Sequence, residues 1–485
     1  MEQRITVILF HRTTYLFMQY SHEDENFPLT RFESMLKTND ILFFDSSEFE
    51  NIIHHYLENG KIALSKRAIK LGLEQHPTSI NLRLFQVEIL VIENKFGEAN
   101  DLLDNLHNLE PNNEEIFIQK ANVLSKQDQH QKAIDTLLIA IEMSNTPEDD
   151  ADLYALVGME YLFLDQFDDA IIYFKKCLES DTTDYSALHN IVYCFDFLNK
   201  NSEAIEYLNT FLDTNPYCEV AWHQLGRQYF ALKDYTKASA AFDFAIISDD
   251  TFVGAYIEKG KVLEKLKTYE EAIENYKISL ALEDPTSFAL LRIGHCYAKL
   301  DQEDLAIQFF KKTIDEDPLL DKGWIAITKF YMKRLNYQKA LYYINKAVTI
   351  DGDNVLFWKL YATVNKRLNF LEESERGYKR ALELGNYELD TWLNRSDVLT
   401  TLGEYQAAIF NLLQTTEFYP ENAEIEYRLA GLYFAVHQPE EGRFHLKNAT
   451  CLNIDYSFII SELFPQLTDK PLIKAIISEA KKTSN

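Results

Sequence analysis

The stretch AWHQLGRQYFALKDYTKASAAFDFAI, residues 221–246, contains the position that decides the fold, Ala238. The same slot recurs at a constant interval with a small side chain each time: Ala170, Ala204, Ala238, Ala272, Ala306, Ala340, Ser374, Ala408 and Gly442. After one slip of three residues, the series continues backwards through Ala133, Ala99 and Ser65. A fixed period of this length predicts a stacked array of repeats, because unrelated amphipathic helices would not keep register along the chain.

The large residues around Ala238 have a spacing that resembles the tetratricopeptide repeat, a helix–turn–helix unit of about 34 residues. The matching residues are Trp222, Leu225, Gly226, Tyr229, Ala238, Phe242 and Ala245. The resemblance covers residues 46–456, in units that begin at Ser46, Ile80, Glu114, Ala151, Tyr185, Glu219, Val253, Ser287, Asp321, Val355, Leu389 and Ala423. It implies an all-α fold, a right-handed superhelical α-solenoid of antiparallel helix pairs.

The residues outside the twelve repeats are predicted to form the two ends of the array. Residues 1–45 are read as an N-terminal extension, with residues 1–17 unstructured, Met18 the true start, and a leading helix over residues 27–42. Residues 457–485 are predicted to form capping helices, because repeat arrays need polar-faced ends to avoid end-to-end stacking.

Two places depart from the regular pattern. The unit that begins at Val355 has Asn365 at an aromatic position, and we assign both Gly377 and Gly385 to its second helix. Glycine costs about 1 kcal/mol relative to alanine inside a helix, so we predict a flex point in this unit. The additional acidic residues 148–150 are expected to lengthen one connection between units.

The composition favours protein binding over nucleic-acid binding or catalysis. A net charge of −28 repels phosphates, and no run of about 18 apolar residues is present to span a membrane. Five scattered cysteines without CxxC spacing predict reduced thiols in a cytoplasmic protein. The sequence has no phosphate-binding loop, HExxH pair or nucleophile elbow. We therefore predict no enzyme activity, no cofactor and no metal site.

In the family that the chain resembles, the first helices line a concave groove that holds peptides or partner proteins. One groove slot carries a series that we call the predicted ladder: Tyr193, Arg227, Lys261, His295 and Lys329. His189, His223 and Phe230 are assigned to the same face, the two histidines as neutral groove residues rather than metal ligands. Four cationic or titratable side chains in an acidic chain predict a site for an extended acidic segment of another protein. The alternative is that exposed helix positions are charged without a binding role.

A weaker candidate follows from a subfamily that grips a terminal carboxylate with a clamp of lysine, asparagine and arginine. Lys359, Asn394 and Arg428 match three of its positions. Thr363 stands where the clamp has asparagine, and Glu424 replaces a lysine and would repel a carboxylate. The resemblance therefore implies a terminal-carboxylate partner only in part.

The function predicted from the resemblance is a non-catalytic scaffold or adaptor that binds segments of partner proteins in its groove. Two alternatives stay open: a structural subunit of a larger assembly, and a regulatory arm of a separately encoded enzyme. Large apolar residues exposed on the convex side would favour the structural subunit. The composition, low in glycine and alanine and rich in Asn, Lys, Ile and Tyr, suits a bacterial source.

Overall fold

The structure is a computed structural model, and it describes residues 26–38, 42–144, 147–283 and 286–483. Within these ranges it is helical and contains no strand. Residues 1–17 and Met18, for which the sequence predicts an unstructured extension and the start of the protein, lie outside the described residues. No helix in the described part of the chain is both long and apolar enough to cross a membrane.

The chain divides into two compact units, Met1–Ser248 and Asp249–Asn485, called here the N-terminal and the C-terminal unit. The N-terminal unit contains α1 Asn26–Thr38, α2 Ser46–Glu58, α3 Ile62–Gln75, α4 Ile80–Ile92, α5 Phe96–Leu109, α6 Glu114–Lys126, α7 His130–Met143, α8 Pro147–Phe163, α9 Phe167–Ser180, α10 Tyr185–Phe197, α11 Asn201–Thr214, α12 Glu219–Ala231 and α13 Tyr235–Ser248. From α2 onward, each even-numbered helix is the first of a pair and the next odd-numbered helix is the second.

The C-terminal unit continues the same alternation. Its helices are α14 Val253–Leu266, α15 Tyr269–Leu282, α16 Ser287–Lys299, α17 Glu303–Glu316, α18 Asp321–Lys333, α19 Tyr337–Ile350, α20 Val355–Arg367, α21 Leu371–Glu383, α22 Leu389–Leu402, α23 Tyr405–Phe418, α24 Ala423–Ala435, α25 Pro439–Leu452, α26 Phe458–Leu463 and α27 Pro471–Thr483. The all-α array of helix pairs predicted from the sequence is confirmed.

The small slot is buried because the two helices of a pair touch there. Ala238 is completely inaccessible to solvent, as are the corresponding residues from Ser65 to Ala408. The two helices also touch one turn after Ala238, where Phe242 of α13 meets Gly226 of α12. A Cβ added to Gly226 would lie only 2.6 Å from Phe242 Cε1. The aromatic ring of the second helix therefore lies directly on the backbone of the first. Gly260 and Tyr276 repeat this contact in the C-terminal unit.

Both departures from the repeat need correction. Residues 148–150 do not lengthen a connection; they lie in the first turn of α8, which begins at Pro147. Proline is suited to the first position of a helix, because its missing N–H would have no partner there.

One of the two glycines that the sequence assigns to the second helix of the α20–α21 repeat lies outside that helix. Gly385 lies beyond the end of α21 and has a φ of +96°, which glycine adopts without strain. Gly377 allows a close approach, because a Cβ there would lie 2.9 Å from Ala362 Cβ. The buried Asn365 donates from its Nδ2 to the Tyr361 carbonyl at 2.9 Å. The assignment of Gly385 to the second helix is therefore wrong, and the flex point stays a prediction.

Candidate partner-binding site

In the N-terminal unit, the predicted site residues lie on α10 and α12. His189, Tyr193 and Arg227 are exposed, and His223 and Phe230 are half-buried. Gln224, which sequence reasoning missed, links two of these positions. Its Nε2 lies 2.9 Å from His189 Nδ1, and its Oε1 accepts from Arg227 Nη1 at 3.1 Å. Gln224 is buried, so it holds the two exposed side chains in place across neighbouring first helices.

The aromatic residues of this face pack mainly against residues of their own repeat. The Phe230 ring packs edge-on against Tyr235 at 5.5 Å between centroids, and the His223 ring lies 5.7 Å from Phe242. Tyr193 lies 6.5 Å from Phe197, whose side chain is 58% exposed. The described residues contain no group of His, Cys, Asp and Glu that could hold a metal ion. Tyr193 and Phe197 offer open aromatic surface on α10.

In the C-terminal unit, the predicted ladder has fewer charges available to a ligand than its sequence suggests. Lys261 Nζ lies 2.6 Å from Glu258 Oε1 on the same helix, so its charge is already paired. His295 packs against the Phe310 ring at 5.2 Å. Burial, and then the positive charges of Arg292 and Lys299, lower the pKa of His295 to about 4. His295 is therefore neutral at pH 7, and Lys329 is the exposed cation of this part of the ladder.

A second set of cations, all of them exposed, lies one helical turn further along α14, α16 and α18 and continues on α20. We call it the basic row, and its members are Lys265, Lys299, Lys333 and Arg367. All four are exposed, on α14, α16, α18 and α20. Within the part of the chain that the structure describes, none of them forms an ion pair. Sequence reasoning missed this row, although stepping from Lys265 by the length of the repeat would have found it.

The carboxylates near the basic row are bound to other cations. Arg292 donates from Nε and Nη2 to the two carboxylate oxygens of Glu264, each at 2.7 Å, and so joins α16 to α14. Arg334 lies 3.0 Å from Asp301 Oδ1 and 2.9 Å from Glu303 Oε1. The sequences of α16 and α20 contain no acidic residue. The charge of the row is thus left for an external anion.

The clamp candidates are occupied by carboxylates of the chain itself. Lys359 Nζ lies 2.9 Å from Asp390 Oδ2 and also pairs with Glu388. Arg428 is buried and donates from Nε to Asp397 Oδ1 at 2.7 Å. Asn394 accepts from Lys366 Nζ at 2.9 Å. A terminal carboxylate would have to displace these internal partners.

Comparison with known families identifies the repeats. The tetratricopeptide-repeat family matches residues 253–283 and 289–318, and the array of helix pairs extends this pattern on both sides. The chain therefore contains tetratricopeptide repeats. A second family, the coatomer epsilon subunit, matches residues 57–222 of the same array.

Several relatives of this tetratricopeptide-repeat protein are components of complexes by name. It is 23% identical over 395 residues to the BBSome complex member BBS4 of Bos taurus, a match that covers 78% of the chain and 75% of that protein. It is 24% identical over 200 residues to anaphase-promoting complex subunit 3 of Schizosaccharomyces pombe, covering 41% of the chain and 30% of that protein. The human protein O-mannosyl-transferase TMTC1 is 23% identical, but the match spans only 24% of its length.

Solved structures include further proteins with similar helices. The MamA structure is 25% identical and covers 33% of the chain and 95% of MamA, with a TM-score of 0.31. A tetratricopeptide-repeat protein of Parabacteroides merdae is 15% identical and covers 51% of the chain and 97% of that protein, with a TM-score of 0.38.

Proposed function

We propose that this tetratricopeptide-repeat protein is a non-catalytic scaffold that binds segments of partner proteins on the faces of its first helices. The observation that carries the proposal is the set of open cations on α14, α16, α18 and α20, whose neighbouring carboxylates are already paired. In the N-terminal unit, Tyr193 and Arg227 are also exposed on first helices, where a partner could bind them in the same way. Complex members among the relatives support a role in protein interaction.

The absence of catalysis is part of this proposal. A partly buried cluster joins Glu264, Tyr276 and Arg292, and its hydrogen bonds are internal: Tyr276 Oη donates to Glu264 Oε1 at 2.7 Å. Burial raises the pKa of Tyr276, with the Glu264 charge adding to the effect. These groups therefore serve packing between helices. The finer prediction, an acidic or C-terminal partner segment, belongs to the same proposal, and the paired clamp residues favour the acidic segment over the terminal carboxylate.

Photo-crosslinking tests where partners bind. A photoreactive amino acid is placed at Arg227 or Lys329 on first helices, and at Glu206 or Lys312 on second helices, all of which are exposed. The scaffold proposal expects partner crosslinks from the first-helix positions and far fewer from the second-helix positions. Crosslinks confined to the second helices would contradict it.

A second candidate function, a structural subunit of a larger assembly, is favoured by an apolar slot on second helices. Phe410 on α23 and Phe444 on α25 occupy the same slot in consecutive repeats, and they are 63% and 61% exposed. Large exposed rings of this kind mark protein contacts more often than isolated surface residues do. Crosslinks from Phe410 and Phe444, with none from Arg227 or Lys329, would establish this candidate over the scaffold. The regulatory arm of a separate enzyme stays a prediction.

We also propose a cytoplasmic location. The five cysteines are free thiols, and four of them are buried, as expected where disulfides do not form. Cell fractionation of the source organism tests this location, and recovery of the protein outside the cytoplasmic fraction would contradict it. The bacterial source stays a prediction from composition.

A further inference from the structure

The basic row is specific to one unit of the protein. The equivalent slot in the N-terminal unit holds Ile92, Lys126, Phe163, Phe197 and Ala231, so it contains one isolated cation and no row. Cations in the last turn of a helix are favourable because they complement the helix dipole. However, α4, α8 and α10 end without them at this slot, so helix formation does not require the row. We therefore attribute the basic row to a binding function and not to helix stability.

The spacing of the row sets the conformation of a ligand. We take the interaxial spacing of packed helices, about 8–10 Å, as the separation between consecutive members of the row. A polyproline II segment rises about 3.1 Å per residue and has three residues per turn, so every third side chain points to the same side about 9.3 Å further on. In a β-strand, side chains three residues apart point to opposite faces.

We propose that Lys265, Lys299, Lys333 and Arg367 bind an extended acidic segment of a partner protein, in polyproline II conformation, with a carboxylate at every third residue. Four carboxylates then meet four cations over about ten residues. This inference rests on the proposed scaffold function and names the chemistry of its ligand. Nucleic acid is the less favourable polyanion, because the net charge of −28 opposes a long phosphate backbone.

Two peptides test the spacing directly on the full chain. The first is a fluorescein-labelled peptide of four Glu-Pro-Ala repeats, which places a carboxylate at every third residue. The second has the same composition, with the four glutamates adjacent at one end. Fluorescence anisotropy at low ionic strength should give tighter binding of the first peptide, by about threefold or more if one exposed pair of roughly 0.7 kcal/mol is lost. High salt should weaken binding because it screens exposed charges.

A charge-reversal variant tests the residues. Lys299→Glu combined with Lys333→Glu should weaken binding of the periodic peptide by about tenfold or more, because attraction turns into repulsion at two positions. The matched control is Lys311→Glu with Lys379→Glu, which makes the same charge change at exposed positions on the second helices α17 and α21. The control should bind the peptide within about twofold of the original protein. Circular dichroism verifies that both variants keep their helices.

Each remaining outcome decides against the inference in a different way. Equal affinity for the two peptides overturns the spacing, and equal loss in the two variants overturns the site. Tighter binding of a single-stranded oligonucleotide, lost in the Lys299/Lys333 variant, reassigns the row to nucleic acid. If neither peptide binds while partner crosslinks still form at Arg227 and Lys329, the inference fails and the scaffold function stands. If those crosslinks are absent as well, both fail.

Discussion

The C-terminal unit contains two groups of cations on its first helices that look alike in sequence and differ in state. Lys265, Lys299 and Lys333 in the basic row are exposed and unpaired among the described residues. Further along the chain, Lys359 and Arg428 are held by carboxylates of the neighbouring first helix. The difference lies in the neighbouring helices: α22 supplies Asp390 to α20 and Asp397 to α24, whereas α16, which follows α14 in the basic row, contains no acidic residue.

Positive charges have two different roles in this fold. A cation that pairs with a carboxylate on the adjacent first helix joins repeats to each other, and its removal leaves a partly buried charge unpaired. A cation without such a partner contributes little to stability, because exposed charges interact weakly through water. It is instead available to an external anion.

The largest expected effect is the loss of a joining cation. Arg428→Ala should lower the free energy of unfolding of the C-terminal unit by about 3 kcal/mol, because Asp397 loses its hydrogen-bonded partner in a partly buried position and keeps only Lys366, whose Nζ lies 3.8 Å away. Arg367→Ala, which removes an exposed member of the basic row, should change it by no more than about 0.5 kcal/mol. Urea unfolding together with hydrogen exchange of α22 and α24 measures both. Similar losses in the two variants would remove the distinction between joining and open cations.

A second prediction uses His295 as a reporter of the open charges. Burial and the charges of Arg292 and Lys299 lower its pKa to about 4, so the folded state binds fewer protons than the unfolded state, where the pKa is near 6.5. The associated stability is complete above about pH 6.5 and is lost as the pH falls towards 4, by roughly 3 kcal/mol in total. Comparison of the original protein with His295→Gln isolates this loss, since the other groups titrate in both.

The pKa of His295 also depends on Lys299, a member of the basic row. Lys299→Ala should raise the pKa of His295, because one of the positive charges that disfavours the protonated ring is removed. Nuclear magnetic resonance of the ring protons follows this titration. An unchanged pKa would mean that the charge of Lys299 does not act on the groove side of α16.

Sequence reasoning found the fold because burial enforces it at every repeat. The two helices of a pair touch at Ala238, so only a small residue is accepted there, and the period of the repeat is visible in the letters alone. The state of a charged residue depends on contacts between repeats. The sequence places cations at Lys359 and Arg428, but their pairs with Asp390 and Asp397, which lie on a neighbouring first helix, appear only in three dimensions.

A third prediction converts a joining cation into an open one. Glu388→Gln with Asp390→Asn frees Lys359 and should tighten binding of the periodic glutamate peptide by no more than about twofold, because all four glutamates already face the basic row and Lys359 acts on them only from two helical turns away on α20. Asp353→Asn provides the control, because Asp353 pairs with Arg380 on the second helix α21. Tighter binding in both variants would indicate a general effect of net charge and not a new contact at Lys359.

The smallest effects come from two adjacent cations that belong to opposite classes. Arg334 pairs with Asp301 and Glu303, so Arg334→Ala should cost about 0.5–1 kcal/mol of stability and leave peptide affinity nearly unchanged. Lys333→Ala should leave stability unchanged and weaken peptide binding by about two- to fivefold. Urea unfolding and anisotropy on the same two proteins measure these opposite patterns. Because the residues are neighbours in sequence, a loss of affinity in both variants would place the ligand contact in the turn after α18 and not in the row of aligned cations.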